Sequence, residues 1–159
     1  MKFFDEESSM GFVQYGEGHY KNIHVTGVAN LKGNVNAETV KIIGIIQIHG
    51  HLKAKEIYIK GGIDCLQSIE AEIIKLDVSG NVKVKQMEAK EISIVRKEDN
   101  GILNIHQIQC DRLSAEDLTC NEVRAATAEF KKKCRIEHLF YKNQYTQSEE
   151  TIIQKTEKI

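Results

Sequence analysis

The sequence predicts an all-β fold, a parallel β-solenoid in which each turn of chain stacks on the turn before it. Two observations lead to this prediction: apolar positions recur about every 17 residues, and within each repeat they come in pairs two residues apart. A repeat of this length is too short for a helical hairpin but suits one solenoid coil. An apolar pair at i and i+2 is typical of a short strand with two side chains on one side.

One residue marks the same position in each coil and sets the register. The first three steps between successive marks are equal, the fourth is slightly longer, the fifth is the longest and the last is the shortest. The longest step contains the charged turn 96–101, whose residues are expected to stay outside the core. About seven coils are therefore predicted over residues 16–141. The marking residues are Tyr20, Ala37, Ala54, Ala71, Ala89, Cys110 and Ala125.

Three apolar pairs in each coil predict three short strands and a triangular cross-section. Glycines such as Gly27, Gly44 and Gly61 fall between pairs, where the backbone bends and glycine can adopt a positive φ. In the coil that follows Gly50, the pairs are Leu52/Ala54, Ile57/Ile59 and Ile63/Cys65.

The residue after each mark supports the register independently. Its charge alternates in sign from coil to coil, so every vertical neighbour, about 4.8 Å away, carries the opposite charge. Like charges at this spacing would repel each other. The alternating residues are Lys21, Glu38, Lys55, Glu72, Lys90 and Asp111.

Composition narrows the classes of function. A formal net charge of −1, from 22 basic and 23 acidic residues, argues against a dedicated nucleic-acid binder. No apolar run has the length of a membrane span and no secretory leader is recognisable, so a cytoplasmic location is expected. Cys65, Cys110 and Cys120 fall at inward positions and are expected to be buried. Cys134 follows three lysines and is expected to be an exposed thiol.

The two termini do not follow the repeat. Residues 1–15 are expected to form a disordered leader, and residues 142–159 a disordered tail. Phe3 and Phe4 give the leader a second interpretation, a contact with the inner face of the cell membrane. Two aromatic rings bind a bilayer weakly, so this contact would need many copies acting together.

The ends of the predicted β-helix domain, residues 16–141, carry the main functional hypothesis. An uncapped solenoid exposes unpaired strand edges and apolar interior, and matching ends favour a filament. The alternative is that the tails fold back as caps. The candidate polymerisation residues are Tyr20, Ile23 and Val25 in the first coil and Phe130, Ile136 and Phe140 in the last.

The sequence contains no recognisable catalytic motif. There is no Gly-rich phosphate loop, nucleophile elbow or HExxH pattern. His49 and His51 flank Gly50, but the register places no third ligand beside them, so solvated surface histidines are expected. No catalytic residue, cofactor or metal site is predicted.

The repeated pattern Gly-x-Val/Leu-x-Ala-x-x-Ile-x-Ile, over residues 16–135, resembles that of the bactofilins, a family of polymer-forming bacterial cytoskeletal proteins. The resemblance implies a right-handed parallel β-helix that polymerises end to end, as a homopolymer, without nucleotide. It also implies an N-terminal tail that touches the inner membrane, and roles in cell shape, division or motility beside other cytoskeletal, cell-wall or motility proteins. In that family an aromatic residue near the C-terminal end of the β-helix supports polymerisation, and Phe130 is the matching position here.

Two other functions stand as alternatives. A left-handed β-helix acyltransferase-like trimeric enzyme is built from hexapeptide repeats, three to a coil, and would also need a protruding loop and a catalytic histidine. The three equal steps from Tyr20 to Ala71 are each one position too short for such a coil. A monomeric β-solenoid adaptor would present flat, charged faces to partner proteins.

Overall fold

A computed structural model describes residues 3–4, 8–96 and 101–159, which form twelve β-strands and no helix. Every strand pair is parallel, and the strands join in one continuous sheet that winds into a solenoid of about nine turns. The predicted parallel β-solenoid is therefore confirmed. The strands are β1 (Phe3–Phe4), β2 (Ser8–Tyr15), β3 (Gly18–Leu31), β4 (Val35–Ile48), β5 (His51–Lys53), β6 (Glu56–Glu70), β7 (Ile73–Glu88), β8 (Glu91–Arg96), β9 (Leu103–Glu116), β10 (Thr119–Lys132), β11 (Arg135–Gln147) and β12 (Ile152–Lys158).

The strand pairing follows the predicted register from coil to coil. Tyr20 pairs with Ala37, and Cys110 pairs with Ala125. Between them the backbone N–H groups of Ala54 and Ala71 donate to Glu70 and Glu88 of the next coil, at 2.9 and 3.0 Å. The marking residues therefore form one vertical column.

The solenoid continues beyond both ends of the predicted domain, which is why it has more turns than the seven predicted. β2 pairs along its whole length with β3, from Ser8 against His24 to Tyr15 against Leu31. β12 pairs with β11 from Arg135 against Ile152. Residues 3–4, 8–15, 142–147 and 152–158 are thus parts of strands, and the expectation of disorder is corrected for these segments.

The repeat pattern did not predict the end coils because their inward positions need not be apolar. Only one neighbouring coil covers a terminal coil, so Thr156 stays exposed, whereas the buried Thr151 is satisfied by hydrogen bonds with the Cys134 N–H and Ser148 Oγ. Thr151 and Thr156 align with Cys134 and Leu139 of the preceding coil, both of which are buried. A search for apolar pairs stops at such positions.

The core is a continuous apolar column along the solenoid axis. Each inner coil contributes three pairs of inward side chains, nearly all of them buried, which is the pattern that a triangular cross-section requires; Ala37 and Ala71 are partly exposed. In one coil they are Leu52/Ala54, Ile57/Ile59 and Ile63/Cys65, all at most 8% exposed.

Glycines occupy one corner of successive coils because the coils approach too closely there for a side chain. Gly27, Gly44 and Gly61 have φ values of +127°, +133° and +139°. A Cβ on Gly44 would collide with the carbonyl oxygen of Gly27, and a Cβ on Gly61 with that of Gly44. The predicted glycine corner is confirmed.

The charged turn interrupts the coil between β8 and β9. Residues 97–100 of the predicted turn 96–101 lie outside the described residues. Arg96, expected outside the core, is only 8% exposed. Its guanidinium donates to the Gly101 carbonyl, and its backbone N–H donates to the Glu116 carboxylate at 3.1 Å. These hydrogen bonds let the charge sit at the rim of the core, which corrects the expectation for this residue.

Candidate functional site

The N-terminal end of the solenoid is the outer edge of β2. One edge of this strand bonds to β3, and the other has no partner in the part of the chain that the structure describes. Val13 and Tyr15 point inward and pack on the core while remaining partly exposed. Met10 and Phe12 point outward and are 84% and 61% exposed. An open edge with a partly covered apolar interior is a surface that favours pairing with another chain.

The C-terminal end is the outer edge of the last coil, formed by β12 and the second half of β11. Among the described strands, β12 pairs with β11 alone. Tyr141, Tyr145 and Ile153 are partly buried against the core, and the two tyrosine rings lie 4.8 Å apart in a T-shaped contact. Ile152 points outward and is 55% exposed. This end, like the first, is open.

Five of the six predicted polymerisation residues are interior, which corrects the prediction that they form the ends. In the first predicted coil, β1 pairs at Tyr20 and β2 at Val25, and the buried Ile23 lies between these two positions of β3. In the last, the other two are covered because β11 pairs over β10 and β12 pairs over β11. Their exposures are 9% for Tyr20, 0% for Ile23, 3% for Val25, 1% for Phe130 and 1% for Ile136.

The sixth predicted residue, Phe140, lies on the outer wall rather than on an end. Its ring stacks on His138 with a centroid distance of 3.9 Å, and the Arg124 guanidinium lies 4.0 Å from its centroid. His138 also contacts the Glu157 carboxylate at 3.0 Å. Phe140 thus belongs to a side-chain cluster that joins the last three coils.

The predicted membrane residues lie at the edge of the described chain. In β1, the backbones of Phe3 and Phe4 pair with those of His19 and Tyr20 in β3. The side chains of Phe3 and Phe4 lie outside the described part of the structure. Membrane contact through these rings stays a prediction. No helix in the described part of the chain is long and apolar enough to cross a bilayer.

A longitudinal groove of about 660 Å³ follows the column of marking residues, and we call it the alanine groove. The side chains of its floor are small because alanine recurs at this position. Backbone hydrogen bonds of 2.9–3.0 Å link the coils along one side, from Lys55 to Glu38, Glu72 to Lys55, and onward. The floor consists of Ala37, Ala54, Ala71, Ala89 and Cys110.

Charged side chains form one wall of the alanine groove, and charged and neutral polar side chains form the other. The alternating wall consists of Lys55, Glu72, Lys90 and Asp111, and Lys21 and Glu38 continue the same column beyond the groove; all six are exposed. The second wall comprises His19, Asn36, Lys53, Glu70, Glu88 and Gln109. These wall residues are all described, and no ion pair within 4.0 Å joins two members of the alternating wall. Their charges are therefore available to an external partner.

All four cysteine thiols are buried. This confirms the prediction for Cys65, Cys110 and Cys120 and shows that the prediction for Cys134 is wrong. Cys134 is 0% exposed because it begins an inward pair and the last coil covers it; its N–H donates to Thr151 Oγ1 at 3.3 Å. Burial raises the pKa of Cys65 to about 11 and that of Cys110 to about 12. Such thiols are poor nucleophiles and poor metal ligands at neutral pH.

The histidines lie where the register placed them. His49 and His51 are exposed, and His51 Nδ1 lies 2.6 Å from Ser68 Oγ of the next coil. Within residues 3–4, 8–96 and 101–159, no group of three or more His, Cys, Asp or Glu residues could hold a metal ion.

The residues that sequence reasoning missed are those of the end coils, chiefly Val13, Tyr15, Tyr145 and Ile153. One signal was present: the segment Gly11-Phe-Val-Gln-Tyr15 has the same spacing as Gly27-Val-Ala-Asn-Leu31, one coil further along the chain. Comparison of the chain with protein-family models, with curated proteins and with solved structures found no match. The function must therefore be argued from the geometry of the solenoid.

Proposed function

We propose that the protein is a non-enzymatic, bactofilin-like cytoskeletal scaffold that assembles end to end into nucleotide-independent filaments. The observation that carries this proposal is that, within the described residues, the outer strand edges of both end coils have no partner and lie over a partly exposed apolar interior. Two ends of this kind satisfy each other's backbone hydrogen bonds when they meet. The filament supports cell shape, division or motility, with its own copies as the principal partner.

Handedness follows from general stereochemistry. Crossovers between parallel strands are right-handed in nearly all proteins, so we assign a right-handed coil. The known exception is the left-handed solenoid whose coils each contain three hexapeptides. Pairing here advances from Gly18 to Val35 and from Val35 to Leu52, one position less per coil than three hexapeptides would give. This spacing favours the scaffold over the acyltransferase-like enzyme.

End-to-end assembly requires the interior of each end coil to be covered by the next subunit. Half-buried residues such as Ile153 and Val13 would then become fully buried, which stabilises the contact through apolar burial. An outward neighbour such as Ile152 would keep its exposure. Substitutions at these two adjacent positions of one strand are therefore expected to affect filament formation differently.

The test compares Ile153→Lys with Ile152→Lys by negative-stain electron microscopy and sedimentation. We expect Ile153→Lys to abolish filaments, because an unpaired ammonium would be buried at the joint. Ile152→Lys, of identical composition, should form filaments as the wild type does. Circular dichroism should show the same β-sheet content in both.

Val13→Lys tests the opposite end and guards against local melting of the last coil. If filaments form in both Val13→Lys and Ile153→Lys, the end coils are not the contact. A wild-type chain that stays monomeric at all concentrations would also refute the proposal and would favour the adaptor.

A further inference from the structure

The order of charges along the two walls of the alanine groove can be compared with the same order in a second copy of the chain. Each coil contributes one row, with one residue from each wall on either side of the floor. The rows are about 4.8 Å apart, so the six rows from Tyr20 to Cys110 span about 24 Å. The midpoint lies between the rows of Ala54 and Ala71.

A two-fold axis along the strand direction, placed at this midpoint, sets one solenoid antiparallel to another with the grooves face to face. Each wall then meets the same wall of the second copy in reverse order. The facing pairs of the alternating wall and its continuation are Lys21 with Asp111, Glu38 with Lys90, and Lys55 with Glu72. The facing pairs of the second wall are His19 with Gln109, Asn36 with Glu88, and Lys53 with Glu70.

This antiparallel arrangement places no like charges opposite each other. Four kinds of oppositely charged pair face each other, and the two-fold axis makes each occur twice. An alternating series with an even number of members always has this property when it is reversed. Complementarity of this kind is what an isologous interface requires, since one patch must match itself.

The parallel arrangement, with the two-fold axis along the solenoid, gives a less favourable result: of the three rows in which both walls are charged, two place like charges opposite each other and one, Lys90 facing Glu88, places opposite charges. Each row then meets its own row in the second copy, with the two walls exchanged. Lys55 would face Lys53, and Glu72 would face Glu70. Two successive rows of like charges would repel, so the walls discriminate between the two orientations.

We propose that the alanine groove is a lateral interface at which a second copy of this chain docks antiparallel. The contact is separate from the end coils and from end-to-end assembly, since it uses the side of the solenoid between Tyr20 and Cys110. Its area is small and its charges are exposed, so the association is weak and salt-sensitive. Along a filament, many such contacts would act together and join filaments side by side.

Zero-length carbodiimide cross-linking of the full chain at low ionic strength tests the contact. Lys21 and Asp111 are five rows apart in one chain, about 24 Å, so a direct amide between them forms only between copies. A mixture of ¹⁵N-labelled and unlabelled chains should give mixed-isotope Lys21–Asp111 peptides in mass spectrometry. The yield should fall several-fold near 1 M salt, where the Debye length is about 3 Å.

Charge exchange at the centre of the interface provides the matched variants. Lys55→Glu should lower the yield of the Lys21–Asp111 cross-link about fivefold or more, because the new carboxylate faces Glu72 of the second copy. Adding Glu72→Lys should restore the yield. Lys60→Glu makes the same charge change at an exposed position outside the groove and should leave it unaltered.

Each remaining outcome overturns the antiparallel contact. A higher yield of dimer in Lys55→Glu, without Lys21–Asp111 peptides, would show the parallel arrangement, in which the new carboxylate faces Lys53. Absence of the Lys21–Asp111 peptide in the wild type at low salt would show that the groove is not a self-contact. The cross-link should persist in Ile153→Lys, which separates this result from the failure of end-to-end assembly.

Discussion

At the scale of single residues, the glycine corner shows how closely the coils stack. Each glycine there carries a positive φ, and its neighbour's carbonyl oxygen occupies the space that a Cβ would need. Two separate costs would therefore follow from a substitution: backbone strain, and a collision with the coil beneath. Gly44 bears both, whereas Gly80, with φ +87°, has nothing within 4 Å of its Cβ position.

Gly44→Ala should destabilise the fold clearly more than Gly80→Ala. Both alanines adopt a positive φ, at a cost of about 1–2 kcal/mol. Only the first must also push the Gly27 carbonyl aside and weaken the pairing of two coils. Urea unfolding of the two variants measures the difference in free energy of unfolding. Equal losses in the two variants would mean that the coils separate at this corner without strain.

At the scale of a strand, the last coil buries the inward side chains of the coil before it. β12 pairs with β11, and the Ile152 N–H donates to the Cys134 carbonyl at 2.9 Å. The Thr151 side chain also contacts Cys134, because its Oγ1 accepts a hydrogen bond from the Cys134 N–H. Desolvation by burial raises the pKa of the Cys134 thiol. A short polar strand thereby keeps an otherwise ordinary cysteine protonated and inaccessible.

Truncation after Gln147 should therefore expose Cys134 to a thiol reagent at about pH 8, near the ordinary pKa of a cysteine. The inner coils remain covered on both sides, so Cys65 and Cys110 should stay protected in the same sample. Mass spectrometry of alkylated peptides measures the reaction at each thiol, with the full-length chain as the control. Protection of Cys134 in the truncated chain would show that β12 does not cover it.

At the scale of the whole molecule, the solenoid is a one-dimensional stack in which each coil contacts only its neighbours. Stability is then approximately a sum of coil and interface contributions, and the end coils are the weakest part because each has one neighbour. In the proposed filament, the next subunit would supply the missing neighbour. The same geometry presents one N-terminal segment per subunit, so weak contacts of that segment add up along a filament.

Filaments should therefore co-sediment with liposomes through Phe3 and Phe4. A Phe3→Ser/Phe4→Ser variant should keep its filaments and lose most lipid binding, because each buried ring contributes a few kcal/mol at most and only the sum over many subunits holds. Phe12→Ser, which removes an exposed aromatic ring of β2, is the matched control. Unchanged sedimentation of the double variant would exclude the two rings as the membrane contact.

The coil register, the inward pairs and the glycine corner could all be predicted from the amino-acid sequence. These features recur in the chain, and each is set by its own coil and the next: alternation in a strand decides which side chains point inward, and stacking repeats that choice. The alanine groove and its charged walls follow from the same register, so their order could be read from Lys21 to Asp111 before the structure was known.

The position of the terminal coils, in contrast, depends on tertiary contacts between distant segments. Tyr20 and Phe130 have the same apolar character whether a further coil covers them or not, so their burial depends on distant segments rather than on their own repeats. The covering segments contain polar inward residues such as Thr151, which is buried and is tolerated because its hydroxyl forms hydrogen bonds with the Cys134 N–H and with Ser148 Oγ. Local periodicity therefore specifies a coil, whereas contact between coils specifies which surfaces remain free to assemble.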